Sequence, residues 1–318
     1  MKITVVGAGG NVGSTVALSV AQRDFAKEVV LVDLEIKDDD KTLHPSVGRA
    51  LDQWQTAPIF NFDTKLTGTT EYDQTKNSDI CIITAGVPRK PGMSRDDLLQ
   101  INSDIVKQVT RQLLEQSPDA IIIVVSNPLD LMTYVSLKES GLSADKVIGM
   151  AGILDTARYK AFLAEELNCS PKDIQAQLLG GHGDTMVPLP RYTTVSGIPV
   201  TQLIDKNKLD EIIERTKYGG GELVKLMGTS AWYAPGAASA QMAEAIALDQ
   251  NRIFPCSVHL SGQYGLHDLC IGVPVKLGHG GVKEIIELDM DSDEKALMDE
   301  SAGHIKKGLE DLKRITDL

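Results

Sequence analysis

The chain has 318 residues, 42% of them hydrophobic and 24% charged, with a formal net charge of −12. That is the make-up of a globular protein too long for one hydrophobic core, so two packed lobes are expected. With no apolar run of about 18 residues it offers no transmembrane helix. Its scattered cysteines (Cys81, Cys169, Cys256, Cys270) fit neither a metal site nor a disulfide framework, and its acidity speaks against nucleic-acid binding.

"MKITVVGAGG" enters a strand at once, which leaves no room for a signal or transit peptide and makes the cytoplasm the expected compartment. The runs at 2–7, 28–33, 79–86 and 119–128 are nearly continuous Val and Ile, as in strands buried on both faces of a parallel sheet. Helical stretches at 12–23 and 95–116 separate them in the βαβ rhythm of a doubly wound fold. A fifth run at 146–151 is expected to close this sheet, and the acidic stretch 35–48 reads as a surface loop. From 152 the pattern changes. A helix at 154–168 leads to strands at 174–183 and 271–278, with further helices at 208–226, 236–248 and 293–315. The expected architecture is α/β: a nucleotide-binding Rossmann domain over 1–151, then an α+β substrate domain over 152–318.

"VVGAGGNVGS" (5–14) joins a strand to a helix. Its glycines suit a tight turn, close backbone approach to a pyrophosphate, and close helix–strand packing, with the anion at the helix N-terminus. Asp33 ends the next strand, where its carboxylate can accept from a ribose diol and repel a 2′-phosphate, which favours NAD over NADP. A purely structural turn is the competing reading. Gly7, Gly10 and Gly13 form an even G-x-x-G-x-x-G, so Gly9 and Gly10 both stand as candidates to face the diphosphate.

"LLGGHGDTMVP" (178–188) sets His182 between two glycines on a tightly bent backbone, where a neutral imidazole could take a hydroxyl proton; a structural histidine is the alternative. Asp155 and Arg158, one helical turn apart, read either as a surface ion pair or as a division of labour. In the second case Asp155 orients His182, and Arg158 grips a substrate carboxylate with its fork. Asn127 follows the last long strand, where open α/β sheets place ligands, although Asn-Pro is also a plain strand breaker.

Taken in order, "VGAGGNVGS", "LVD", "ITAGVPRKPGMSRDDLLQIN", "VSNPLD", "GMAGILDTARYK" and "GGHGDTMVPLPRYT" resemble the lactate/malate dehydrogenase family over essentially the whole chain. The likeness is greatest to its malate-oxidising branch that is built like lactate dehydrogenases. The resemblance implies reversible NAD-dependent oxidation of (S)-malate to oxaloacetate, a place in the tricarboxylic acid cycle, no metal, no membrane partner, and a homo-oligomer, dimer or tetramer. It makes His182, Asp155 and Arg95 the catalytic set, with Arg95 on a mobile loop. Substrate binding falls to Arg89, Arg95, Asn127, Arg158 and Ser230. Cofactor contacts fall to Gly7, Gly9, Gly10, Asn11, Val12, Gly13, Asp33, Thr84, Ala85, Gly86, Asn102, Ser126 and Asn127. Arg89 matches the position that carries glutamine in lactate enzymes and arginine in malate enzymes. The sequence departs from the closest branch in a glycine turn one residue longer and in the stretch after Asp33 through "GRALDQWQTAP".

Two readings compete with this one. A lactate or other 2-hydroxy acid dehydrogenase is disfavoured by Arg89 alone. A non-catalytic NAD-binding sensor, or a scaffold, would not need His182, Asp155, Arg95 and Arg158 together.

Overall fold

Alternation of β-branched runs with amphipathic segments produces the architecture directly. The computed structural model describes residues 1–38, 41–88 and 93–317. Strand β1 (Lys2–Val6) passes through the glycine turn into helix α1 (Asn11–Arg23), and β2 (Glu28–Val32) lies parallel to β1. Two short exposed strands, β3 (Ile36–Asp38) and β4 (Lys41–Leu43), pair antiparallel ahead of α2 (Pro45–Trp54) and the single turn α3 (Ala57–Phe60). The expected loop at 35–48 is therefore largely ordered secondary structure. Its β3–β4 pair buries no side chain, so no hydrophobic alternation marked it, and Pro45 starts α2 at the first helical position, where a proline is tolerated.

The half continues through β5 (Lys65–Thr69), β6 (Ile80–Ile83), α4 (Arg95–Gln116), β7 (Ile121–Val124), α5 (Leu129–Ser140) and β8 (Val147–Gly149). These strands lie parallel in the order β5-β2-β1-β6-β7-β8. Their crossovers reverse direction between β1 and β6, the point at which open α/β sheets bind ligands.

Helix α6 (Gly152–Leu167) opens the second half. Strands β9 (Ile174–Gln175), β10 (Leu178–Gly180), β11 (Met186–Pro188), β12 (Thr194–Val195) and β13 (Ile198–Pro199) follow. Helices α7 (Lys206–Met227) and α8 (Tyr233–Ala247) come next, then β14 (Arg252–Ser261), β15 (His267–Gly278), β16 (Gly281–Ile285) and α9 (Ser292–Ile315). The run at 146–151 does not close the sheet: Gly149 of β8 pairs antiparallel with Ser257 of β14, and the sheet carries on through β15 to β10 and β11. The single strand expected at 174–183 is two, with β9 in a separate small sheet and β10 in the large one. Most buried apolar side chains form one cluster across both halves, and a second cluster around Tyr159, Leu163, Leu209 and Ile212 holds α6 against α7.

Candidate active site

The C-terminal ends of β1, β2, β6 and β7 converge on one crevice. At the first of them Gly7 has φ +82°, a conformation that favours glycine, and a methyl group at Gly13 would stand 2.5 Å from the Gly7 carbonyl oxygen. The glycines at 7 and 13 thus let α1 start against β1. Gly9 and Gly10 part company here. The Gly9 N–H donates to Asp33 Oδ2 at 2.8 Å, and a side chain at 9 would strike Asp33 and Pro45. Gly10 is instead the exposed N-cap of α1 and has no side chain to fill the helix end, so the first-turn amides of Asn11 and Val12 point out as an anion site. The second Asp33 oxygen accepts from Leu34 N–H at 2.8 Å. The carboxylate is held at the tip of β2 beside the turn, as an acceptor for a ribose diol requires. These residues fit a dinucleotide.

Hydroxyls tie the next two strand ends together. Thr84 Oγ1 donates to the Val6 carbonyl at 2.8 Å, and Ser126 Oγ donates to the Ala85 carbonyl at 2.5 Å. Asn102, buried on α4, spends its whole amide on the backbone: Oδ1 accepts from Val87 N–H at 2.8 Å, and Nδ2 donates to the carbonyls of Val87 and Asn127. It braces the segment after Gly86 against Asn127, leaving the Asn127 side chain exposed and without a partner among the described residues. Arg95 is the first residue of α4, behind a capping box in which Ser94 and Asp97 exchange side-chain-to-backbone hydrogen bonds. Its exposed guanidinium makes no ion pair among the described residues. Arg89, which the resemblance places at the position of substrate choice, lies outside the described residues.

The turn 180–183 delivers the histidine. Gly180 has φ +82° and Gly183 φ +119°. Two distant helices pin the backbone between them: Ser301 Oγ of α9 accepts from Gly181 N–H at 2.7 Å, and Asp130 Oδ2 of α5 accepts from His182 N–H at 2.9 Å. The ring is set by Asp155, in the first turn of α6 and only 1% exposed, whose Oδ2 lies 2.9 Å from His182 Nδ1. A carboxylate there selects the tautomer with hydrogen on Nδ1, so Nε2 is free to take a proton. Burial disfavours charging this imidazole, but the charges and hydrogen bond of Asp155 and the charge of Asp130 prevail, and its pKa stands above the ordinary histidine value. The other Asp155 oxygen meets Arg158 Nη1 at 3.4 Å. Arg158 is thereby half-sheltered beside the histidine, not a surface ion pair.

His182 lines two cavities, of about 680 and 390 Å³. The larger also has Asp155, Arg158 and, from α7, Glu214, Lys217, Gly220 and Gly221 on its wall. The smaller has Arg95, Asn127 and Asp130. His182 thus stands between the Arg158 guanidinium on one side and Arg95 and Asn127 on the other, four residues from four separate stretches of chain. Ser230 does not join them: it lies exposed in the segment between α7 and α8 and lines neither cavity.

Two residues packed against the site were missed by sequence reasoning. Asp130 is buried and shared between His182 N–H and Ser257 Oγ at 2.7 Å, and burial pushes its carboxyl up against the pull of those two hydrogen bonds. It sits inside "VSNPLD", three residues from Asn127. Gly219 of α7 packs on Arg158, and the run "GGG" at 219–221 in a helix was its only signal. Among the described residues no group of His, Cys, Asp and Glu could hold a metal ion, and no helix is long and apolar enough to cross a membrane.

Comparison with known proteins agrees with this geometry. Residues 1–149 match the family described as lactate/malate dehydrogenase, NAD binding domain, and residues 153–316 match lactate/malate dehydrogenase, alpha/beta C-terminal domain. The chain is 61% identical over 317 residues to a malate dehydrogenase of Salinibacter ruber, covering 100% of this chain and 98% of that one. The solved structure of malate dehydrogenase from the same organism superposes with a TM-score of 0.93 at 59% identity, over 100% of this chain and 99% of that one. A Plasmodium falciparum malate dehydrogenase in complex with NADH superposes with a TM-score of 0.89 at 33% identity, over 99% of both chains.

Proposed function

Because the chain belongs to the lactate/malate dehydrogenase family, we propose that it interconverts (S)-malate and oxaloacetate with NAD, using His182 as the proton acceptor and donor. The observation that carries this is the His182–Asp155–Arg158 cluster, a proton acceptor and a carboxylate-binding cation 2.9 and 3.4 Å from the two oxygens of one buried carboxylate. The domains divide at 151/152, and the crevice between their residues is the site.

NAD, when bound, supplies the two-electron acceptor. Gly10, Asn11 and Val12 would receive its diphosphate and Asp33 its ribose diol. Gly7, Gly9 and Gly13 give the turn its shape, while Thr84, Ala85, Gly86, Asn102, Ser126 and Asn127 build the wall beside it. In malate oxidation His182 Nε2 takes the C2 hydroxyl proton, and the resulting imidazolium is stabilised by Asp155. In the reverse direction protonated His182 and Arg95 face the carbonyl oxygen on which negative charge develops. Arg158 holds the carboxylate next to the reacting carbon in a two-pronged grip. Arg89 answers the second carboxylate, which pyruvate lacks. Burying its charge without a partner would be costly, so discrimination of about 10⁴ is expected. The family's homo-oligomeric habit, dimer or tetramer, is supported by Leu51, Trp54, Ile59 and Phe60, apolar side chains exposed together on α2 and α3.

The test is NADH absorbance with oxaloacetate, then pyruvate, then NADPH in place of NADH. Fast oxidation of NADH by oxaloacetate alone is expected. No turnover with either keto acid, by folded protein that binds NADH, refutes the enzyme reading.

A further inference from the structure

Helix α7 buries Leu209, Ile212, Thr216 and Gly219, spaced as one face of a helix must be. At 209 and 212 that face meets the apolar cluster it shares with α6. One turn past Thr216 it meets the side chain of Arg158 instead. A methyl group built at 219 would sit 2.8 Å from Arg158 Nε and closer still to Cδ, so no side chain fits while the arginine holds its place. Neighbouring Gly220 and Gly221 lie on the wall of the larger cavity, where a side chain would meet no atom within 4 Å. Glycine in a helix interior is unfavourable relative to alanine. At 219 the loss is matched by a contact that only glycine permits.

We propose that Gly219 is a positioning residue for substrate recognition: its missing side chain lets the Arg158 stem lie flat on α7, with the guanidinium aimed into the cavity beside His182. The inference rests on the carboxylate-binding role given to Arg158 above. Arg158 is flexible along its stem, so alanine at 219 is accommodated by moving the arginine, not by unfolding the helix. The displaced fork then meets the substrate carboxylate out of register, while Asp33 and the glycine turn are untouched.

The experiment compares Gly219→Ala, Gly220→Ala, Arg158→Ala and the double variant Gly219→Ala/Arg158→Ala in oxaloacetate reduction, with NADH binding followed by fluorescence. Gly219→Ala should raise KM for oxaloacetate by about ten- to a hundred-fold, with a smaller change in kcat and unchanged NADH binding. In the Arg158→Ala background the same substitution should add almost nothing, because its target is gone. An unmoved KM in Gly219→Ala overturns the inference. So does an equal rise in Gly220→Ala, which would report helix stiffening or bulk added to the cavity wall and not the Arg158 contact, or an equal rise with and without Arg158. If Arg158→Ala itself leaves KM unchanged, the carboxylate assignment falls first, whatever Gly219 does.

Discussion

Asp155→Asn separates the charge on this residue from its shape. Nδ1 of His182 and Oδ2 of Asp155 are 2.9 Å apart, which puts the two charges about 4 Å apart and makes their attraction worth ~4 kcal/mol at an effective dielectric near 20. Burial still opposes the charged imidazole in the variant, and Asp130 still favours it, so we expect a net loss of ~3 kcal/mol from protonated His182. That is ~10²-fold at neutral pH in the direction that starts from the imidazolium, oxaloacetate reduction. The amide can also present an N–H to Nδ1 and hold the wrong tautomer, which deepens the loss. The sign of the pH dependence follows from the raised pKa of His182. In the parent enzyme reduction is full below that pKa and falls as pH rises through it, whereas malate oxidation rises through it. With asparagine at 155 both limbs should move to lower pH. The assay is kcat/KM against pH in both directions, with NADH binding as the control. A lower rate whose pH profile has not moved would refute the reasoning, because it would mean that Asp155 does not set the proton affinity of His182.

Arg89→Gln should lower kcat/KM for oxaloacetate and raise it for pyruvate; an unchanged ratio removes Arg89 from substrate choice. Asp33→Ser takes away the acceptor of the Gly9 N–H and the negative charge at the tip of β2, so KM for NADH should rise about ten-fold and the preference over NADPH should narrow. An unaltered nucleotide preference in steady-state kinetics would contradict that role. Asp130→Ala strands two buried donors, His182 N–H and the Ser257 hydroxyl, and should cost about 3 kcal/mol in urea unfolding; Asp130→Asn keeps an acceptor oxygen and should cost less than half as much. Equal stability of alanine variant and parent would show that the buried network carries no weight.

The fold was legible wherever strands are buried on both faces. Val and Ile runs at β1, β2, β6 and β7 announce themselves because each side of the parallel sheet is covered by helices. Helices α1, α4, α6, α7, α8 and α9 fall within a few residues of their expected limits. Of the strands that escaped, two did so for opposite reasons. Edge strand β5, "KLTGT", is too polar to register as a run. Strand β14 carries Pro255, which argues against an interior strand, yet it pairs with Pro274 of β15 at the same register position, so both missing donors fall on one rung of the ladder. A pairing across sequence excuses the proline, and local reading cannot see it.

The site divides along the same line. His182, Asp155, Arg158, Arg95 and Asp33 carry charge or a titrating ring at the ends of elements, and residue type plus place announces them. Asp130 and Gly219 act by what they touch, and their partners lie far along the chain: Ser257 for one, Arg158 for the other. Yet both left a trace of conflict. Asp130, the second residue of α5, suits the helix dipole as a first-turn carboxylate, but the dipole gives no reason for it to be buried. Three consecutive glycines inside a helix forgo ~1 kcal/mol each against alanine. Where local preference and global fold disagree, function or support for it is the first explanation to try. At 220 and 221, which line the cavity, no neighbouring atom demands glycine, so a clash with a packed side chain is the cause at 219 alone, and the comparison of Gly219→Ala with Gly220→Ala is the place where that distinction can be measured.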